Sequence, residues 1–331
     1  MNTLIKNATI ITSSKNMLIH DGYIFIEGSI IKDVGLMKEL ASDNLIIDEV
    51  IDATNHIVMP GLVNCHTHSP MTLLRNYGSD LNLQDWLNTM IFPKEALLTD
   101  NDIYYGSLLG IAEMISTGTT TFADMYYNMD NIARAVTESG IRSNISYGSF
   151  SNKYDDGKRI TIKDFDSTQK FIDNWNGSAD GRIKTSVEIH STYLFEHDFF
   201  PDAFEFAKEN NLSIHIHLHE TKQEIEESIV RYGLNPIQIC DKYKLLDLPM
   251  FAAHCVHLSD DYIKLISDKE FSVVHNPTSN LKLASGIARV PDLLDAGVNV
   301  ALGTDGASSN NNLNMFEEMH IAAILHKGVT G

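Results

Sequence analysis

The segment His215-Ile216-His217-Leu218-His219-Glu220 puts three imidazoles and a carboxylate into six residues, and His66-Thr67-His68 puts two more imidazoles far upstream. Imidazole nitrogens and carboxylate oxygens are ligands for divalent transition metals. His66 and His68 are two apart on an extended segment, so both side chains point to one face and can reach a common ion at about 2.0–2.1 Å. His215, His217 and His219 also alternate onto one face at different depths, and one of them would add a third nitrogen. Asp305 in Thr304-Asp305 offers an oxygen ligand. Three nitrogens, one carboxylate and a water suit Zn²⁺ and also Fe²⁺. Glu220, just past its strand, stands where a proton carrier beside that water is needed. Such a set could hold a metal-bound water with a proton carrier beside it.

Those residues need a frame that brings distant segments together. Apolar, β-branched runs recur at Ile57–Asn64, Thr119–Asp124, Arg142–Gly148, Ile183–His190, Leu212–Glu220, Met250–Cys255, Phe271–Asn276 and Val298–Asp305, with helical segments between them and Asn311–Lys327 as an eighth helix. Thr99 with Asp102 forms an N-terminal capping arrangement for one such helix. Gly140, Gly233 and Gly297 sit just after helical patterns, where a left-handed residue lets the chain turn. Alternating strands and helices imply a parallel sheet, and eight units imply a closed (β/α)8 TIM-like barrel with its active site at the C-terminal strand ends. An open doubly wound sheet would want GxGxxG after its first strand, which is absent. Six of the eight runs end in His or Asp: His66 and His68, His190, His217 to Glu220, His254, His275 and Asp305. Residues 1–56 read instead as short strands of a small N-terminal β-sandwich, and 57–331 as the barrel.

Composition sets limits. The 331 residues are 43% hydrophobic and 21% charged, as in soluble globular domains. No run of about 18 apolar residues marks a membrane span, and the N-terminus lacks a secretory layout. Lys+Arg 25 against Asp+Glu 44 gives a net charge of −19, which disfavours nucleic acid and anionic membrane as partners. Three cysteines at unrelated spacings point to a reducing, cytoplasmic setting.

The motifs resemble those of the amidohydrolase superfamily, in its methylthioadenosine/S-adenosylhomocysteine deaminase group. Pro60-Gly61-Leu62-Val63-Asn64-Cys65-His66-Thr67-His68 is similar to the first-strand signature, His217-Leu218-His219-Glu220-Thr221 to the fifth, Ala253-His254-Cys255 to the sixth and Gly303-Thr304-Asp305-Gly306 to the eighth. Met71 to Arg75, Leu83 to Trp86, Phe92 to Glu95 and His275 to Leu283 also resemble that group. The resemblance implies one divalent ion, Zn²⁺ ahead of Fe²⁺, held by His66, His68, His217 and Asp305. Lys184 lies at the far end of its strand, which agrees with a single ion rather than two. His215 and His219 are then barrel packing and rim.

The implied reaction is hydrolytic deamination of a purine nucleoside (adenosine, S-adenosylhomocysteine or 5′-methylthioadenosine). Asp305 takes a proton from the attacking water, Glu220 protonates the ring nitrogen, and His254 orients the water and supports the developing charge. Glu95 would hold ribose hydroxyls and His190 would contact substrate. Tyr147 stands where the group often has Arg, and a second substrate Arg is matched only loosely by Lys158 or Arg159. Trp86 lies in Leu81–Pro93, read as a lid or pocket wall over the substrate. Glu224, Glu226 and Glu227 read as a solvated helix face. The resemblance implies further strands after the last helix, so the N-terminal sandwich is expected to be incomplete, with bare edges that favour homo-oligomers. The same ligands serve deamination of guanine or cytosine and dechlorination of triazines; a base-only enzyme has no ribose for Glu95 to hold. A metal-free binding protein is the reading from another class.

Overall fold

The structure is a computed structural model that describes residues 1–12, 18–41, 45–78, 80–155 and 158–331, with backbone alone for 150–161. The chain divides into two compact units, Met1–Gly61 and Leu62–Gly331. In the first, β1 (Asn2–Ile11), β2 (Leu18–Glu27), β3 (Ile30–Leu36), β4 (Glu49–Asp52) and β5 (Ile57–Val58) form one sheet in the order β3-β2-β1-β4, with β5 also on β1. Ala8, Ile10, Ile24 and Ala53 form one apolar cluster of this unit, and Leu4, Tyr23 and Phe25 another.

The run Ile57–Asn64, expected as one barrel strand, is two. Ile57 and Val58 pair in parallel with Thr9 and Ile10 of the N-terminal sheet, and the barrel strand starts at Leu62. Pro60 lies between them, and with no N–H and a fixed φ it cannot carry a ladder through.

The second unit is a parallel eight-stranded barrel. Its strands are β6 (Leu62–Thr67), β7 (Thr119–Tyr126), β8 (Arg142–Gly148), β11 (Ile183–Ile189), β12 (Ile214–Leu218), β13 (Met250–His254), β14 (Phe271–His275) and β15 (Asn299–Leu302), neighbours in that order. A helix follows each: α1 (Asp100–Ser116), α2 (Met129–Ser139), α3 (Phe165–Trp175), α4 (Phe199–Glu209), α5 (Lys222–Tyr232), α6 (Asp260–Ser267), α7 (Val290–Asp295) and α8 (Met315–Thr330). Thr99 and Asp102 make a reciprocal capping box on α1. Gly140, Gly233 and Gly297 take left-handed φ of 83°, 70° and 80° after their helices.

An antiparallel hairpin, β9 (Phe150–Asp155) with β10 (Lys158–Lys163), interrupts the passage from β8 to α3. It was not expected, and the side chains of Lys158 and Arg159 lie outside the described residues.

Alternation along the strands sorts the interior. Val187, Ile189, Ile214, Ile216, Leu218 and Val273 join the helices in one apolar cluster. Residues between them face the barrel axis and are polar: Ser146, Ser186 and His215 form a hydrogen-bonded chain there. Closure between first and last strands uses side chains. Asn64 donates to Thr304 Oγ1 (2.8 Å) and accepts from the Thr304 N–H (3.0 Å), and the Asp305 N–H donates to the His66 carbonyl (3.0 Å). Gly303 permits the approach, since a Cβ there would lie 2.8 Å from the His66 nitrogen.

Candidate active site

Strand geometry brings His66, His68, His217 and Asp305 together, with one ligand atom of each within 4.8 Å of all the others. His68 Nδ1 donates to the Met125 carbonyl, and His217 Nδ1 donates to the His190 carbonyl at 2.7 Å. Carbonyls only accept, so both Nε2 atoms turn lone pairs inward, and they stand 3.2 Å apart. Asp305 Oδ1 lies 3.2 Å from His68 Nε2 and 3.4 Å from His66 Nε2. The buried His66 Nε2 has no hydrogen-bond partner. Only a positive charge between these atoms reconciles them. Two ligands each about 2.0–2.1 Å from a tetrahedral ion would be roughly 3.3 Å apart, which these separations match. The four residues fit a divalent cation.

The electrostatics agree. Burial works against a charge on Asp305, yet the adjacent imidazoles of His66 and His68 hold its carboxyl well below the usual range. Burial likewise opposes a charge on His68, but Asp305 outweighs it and favours a positive charge at His68 Nε2, the position a metal ion would take. His66 goes the other way, down to about 4, because it is fully enclosed.

Supporting bonds fix each ligand. Ser279 and Ser309 hydroxyls donate to Asp305 Oδ2 at 2.6 and 2.8 Å. His66 Nδ1 lies 2.8 Å from His215 Nε2, and His215 Nδ1 lies 2.7 Å from Ser146 Oγ. His215, expected as packing, is thus a positioning residue for a ligand, the kind of outer contact that sets ring orientation. His219, just past β12, is buried and bonded to the His257 carbonyl and to the Ile237 N–H.

Glu220 and His254 face the same space. Glu220 Oε1 accepts from Ser285 Oγ (3.0 Å), and Oε2 lies 3.7 Å from His254 Nε2. His254 Nδ1 donates to Asn280 Oδ1 (2.8 Å), which leaves Nε2 as an acceptor toward the cavity. Burial raises the Glu220 carboxyl above its ordinary range. Four residues at strand ends hold left-handed backbone: His219 (φ 52°), His254 (φ 72°), Cys255 (φ 46°) and Asp305 (φ 63°). For non-glycine residues that costs of order 1–3 kcal/mol each and clusters at functional sites.

A cleft of about 760 Å³, including space open to solvent, lies over these groups. Leu83, Trp86, Leu87 and Phe92 form an apolar wall, so Leu81–Pro93 contributes a wall built of short helical turns. The Trp86 indole N–H is spent on the Tyr77 carbonyl (3.1 Å). Glu95 and His190 line the cleft, and Glu95 Oε1 accepts from the Tyr126 hydroxyl at 2.7 Å. Tyr147 does not join them: its ring lies against Phe171, with centroids 4.7 Å apart, outside the cleft's lining.

Glu224 is a correction. Read as solvated, it is 2% exposed and accepts the Glu220 N–H at 2.7 Å. Thr221-x-x-Glu224 is a capping-box pattern, and that signal could have found it. Burial, then the charge of Glu220, pushes its carboxyl up to about 8. Between the ordinary value of 4.5 and about 8 the unfolded chain releases this proton while the folded one keeps it, so stability falls as pH rises through that window. Glu224→Gln cannot titrate. Its melting temperature relative to the unsubstituted protein is expected to climb from pH 5 to pH 8 in thermal denaturation; a pH-independent difference refutes this.

A parallel barrel with a His/Asp metal site at its C-terminal strand ends defines a metal-dependent hydrolase of the barrel type. The pattern of the amidohydrolase family matches residues 57–331, and the chain belongs to that family. It is 52% identical to a 5-methylthioadenosine/S-adenosylhomocysteine deaminase of Acetivibrio thermocellus, over 99% of this chain and 75% of that one. It is 45% identical to a 5′-deoxyadenosine deaminase of Methanocaldococcus jannaschii, over 92% of this chain and 72% of the other. The crystal structure of a zinc-bound adenosine deaminase from Xanthomonas campestris superposes with a TM-score of 0.92 at 32% identity, covering 99% of this chain and 74% of that one. No helix among the described residues is long and apolar enough to cross a membrane.

Proposed function

We propose that this protein is a metal-dependent hydrolase that deaminates adenosine-type nucleosides, releasing the inosine analogue and ammonia. The observation that carries the reading is the convergence of three imidazole Nε2 atoms and Asp305 on one point, beside Glu220 and His254, under an apolar wall. Relatives named for 5-methylthioadenosine/S-adenosylhomocysteine and 5′-deoxyadenosine support the substrate class.

Zinc is the proposed ion ahead of iron, from the three-nitrogen, one-oxygen set and from the zinc of the Xanthomonas campestris relative. His66, His68, His217 and Asp305 would hold it, and it would supply Lewis-acid activation of water, whose pKa falls from about 15.7 towards about 7. His254 Nε2 orients the attacking water, and Asp305 accepts its proton. Glu220, whose carboxyl burial raises, gives its proton to the purine N1 and makes C6 electrophilic. The water oxygen bonds to C6, the amine takes up the proton that Asp305 accepted, the C6–N6 bond breaks to release ammonia, and the C6 hydroxyl proton returns to Glu220. Glu95, beside Tyr126, would accept hydrogen bonds from the ribose hydroxyls, and His190 and Trp86 would bound the substrate. Cys65, Cys240 and Cys255 are unbridged, in keeping with a reducing cytoplasm.

The test is incubation of zinc-loaded protein with adenosine, 5′-methylthioadenosine and S-adenosylhomocysteine, following ammonia and the adenine-to-hypoxanthine absorbance change. Ammonia from at least one is expected. Release from none of them by metal-bound protein overturns the reading.

A further inference from the structure

A buried acid on the last helix has no part in the site described above. Glu318, in the first turn of α8, is enclosed, and burial raises its carboxyl above the ordinary range. Its Oε1 accepts from the Asn310 side-chain amide at 2.6 Å, and its Oε2 accepts from the Thr278 N–H at 3.3 Å. A carboxylate taken out of water is costly, and an apolar side chain would fill the same space at less cost.

Both donors adjoin a serine that holds Asp305. Thr278 precedes Ser279 and Asn310 follows Ser309, and the two serine hydroxyls donate to Asp305 Oδ2. The Asn310 amide also donates to the Thr304 carbonyl (2.7 Å), on the residue before Asp305. Glu318 thus ties together the start of the short helix Pro277–Lys282, the turn Ala307–Asn310 and the backbone just past β15. Asp305 lies where these meet. Its left-handed backbone is a conformation that a non-glycine residue keeps only where its surroundings over-determine it. Its Oδ1 must also stay within reach of two imidazoles, so the side chain is constrained along with the backbone. Glu318 itself neither lines the cleft nor belongs to the four ligands.

We infer that Glu318 is a positioning residue that holds Asp305 in its ion-binding geometry, acting through Thr278, Asn310 and the two serines. The seating of the last helix is thereby coupled to the affinity of the site for its ion. The inference rests on the metal site proposed above.

The experiment reads ion binding apart from turnover. In Glu318→Gln an amide nitrogen replaces one of two oxygens that each accept a donor, so one arm of the brace fails. Zinc affinity, in competition with a chromogenic chelator, is expected to fall about tenfold. Glu317→Gln is the control: it removes an acid from the same turn, but Glu317 is exposed and accepts from the Asn312 side chain at 2.8 Å, so zinc affinity should not change. A merely structural role for Glu318 would lower the melting temperatures of the metal-free and zinc-loaded forms equally and leave zinc affinity where it was. Asn310→Ala breaks the same link from its other end, and it serves if the Gln variant does not fold. Zinc affinity weakened in either variant, with the control unmoved, supports the inference. An affinity unmoved in the variants that fold overturns it while leaving the metal site intact. If the unsubstituted protein binds no zinc, the metal site falls and this inference with it.

Discussion

Glu220→Gln is expected to slow deamination about 10²–10⁴-fold while the protein keeps its metal, because the substitution removes a transferable proton and little else. Glutamine has the same shape, and its amide oxygen can still accept the Ser285 hydroxyl that now reaches Glu220 Oε1 at 3.0 Å. The cluster of His66, His68, His217 and Asp305 does not include residue 220, so its geometry is untouched. What the amide cannot do is hand a proton to a ring nitrogen. Burial already raises the Glu220 carboxyl, so the proton is held further toward neutral pH than on an exposed glutamate. The sign for activity follows: the acid form is the active form, and turnover falls as pH rises past the Glu220 pKa. Initial rates of ammonia release, with metal per chain measured on the same samples, check both halves. Normal turnover in the Gln variant would sink the assignment.

The legible parts of the molecule are those written locally. Thr99 and Asp102 cap α1 because a hydroxyl and a carboxylate three residues apart satisfy helix-end N–H groups whatever surrounds them. His66 and His68 share a face because alternation demands it. The family resemblance singled out His217 from its two neighbours. The illegible parts depend on contacts between distant segments. Nothing near Asp305 in the chain announces Ser279, and nothing near His66 announces His215; the barrel alone joins them. Helical periodicity put Glu224 on a solvent face, whereas its carboxylate folds back over the helix start to hold the Glu220 N–H. The run Ile57–Asn64 looked like one strand because apolar composition does not say which sheet a strand will join.

Removing the metal is expected to abolish turnover and to lower the melting temperature, and both should return on adding zinc. The structural reason lies in the inward lone pairs. His68 and His217 each commit Nδ1 to a backbone carbonyl, so their Nε2 atoms, 3.2 Å apart, have no way to turn from one another. Asp305, bonded on its far side to Ser279 and Ser309, cannot turn away either. A cation that binds only this folded arrangement stabilises it by mass action, by about 2.7 kcal/mol at a free concentration roughly 100 times Kd. For a chain of this size that is a shift of several degrees. The contact between His66 and His215 sharpens the test. His215→Phe keeps a flat ring in the barrel interior but removes the nitrogen 2.8 Å from His66 Nδ1, and zinc affinity should drop about 10–100-fold in competition with a chromogenic chelator. Excess zinc should then restore much of the rate, because the four ligands are still present. A melting temperature indifferent to chelator would mean that these histidines hold no ion, and an unaltered zinc affinity in the Phe variant would mean that His215 does not position His66.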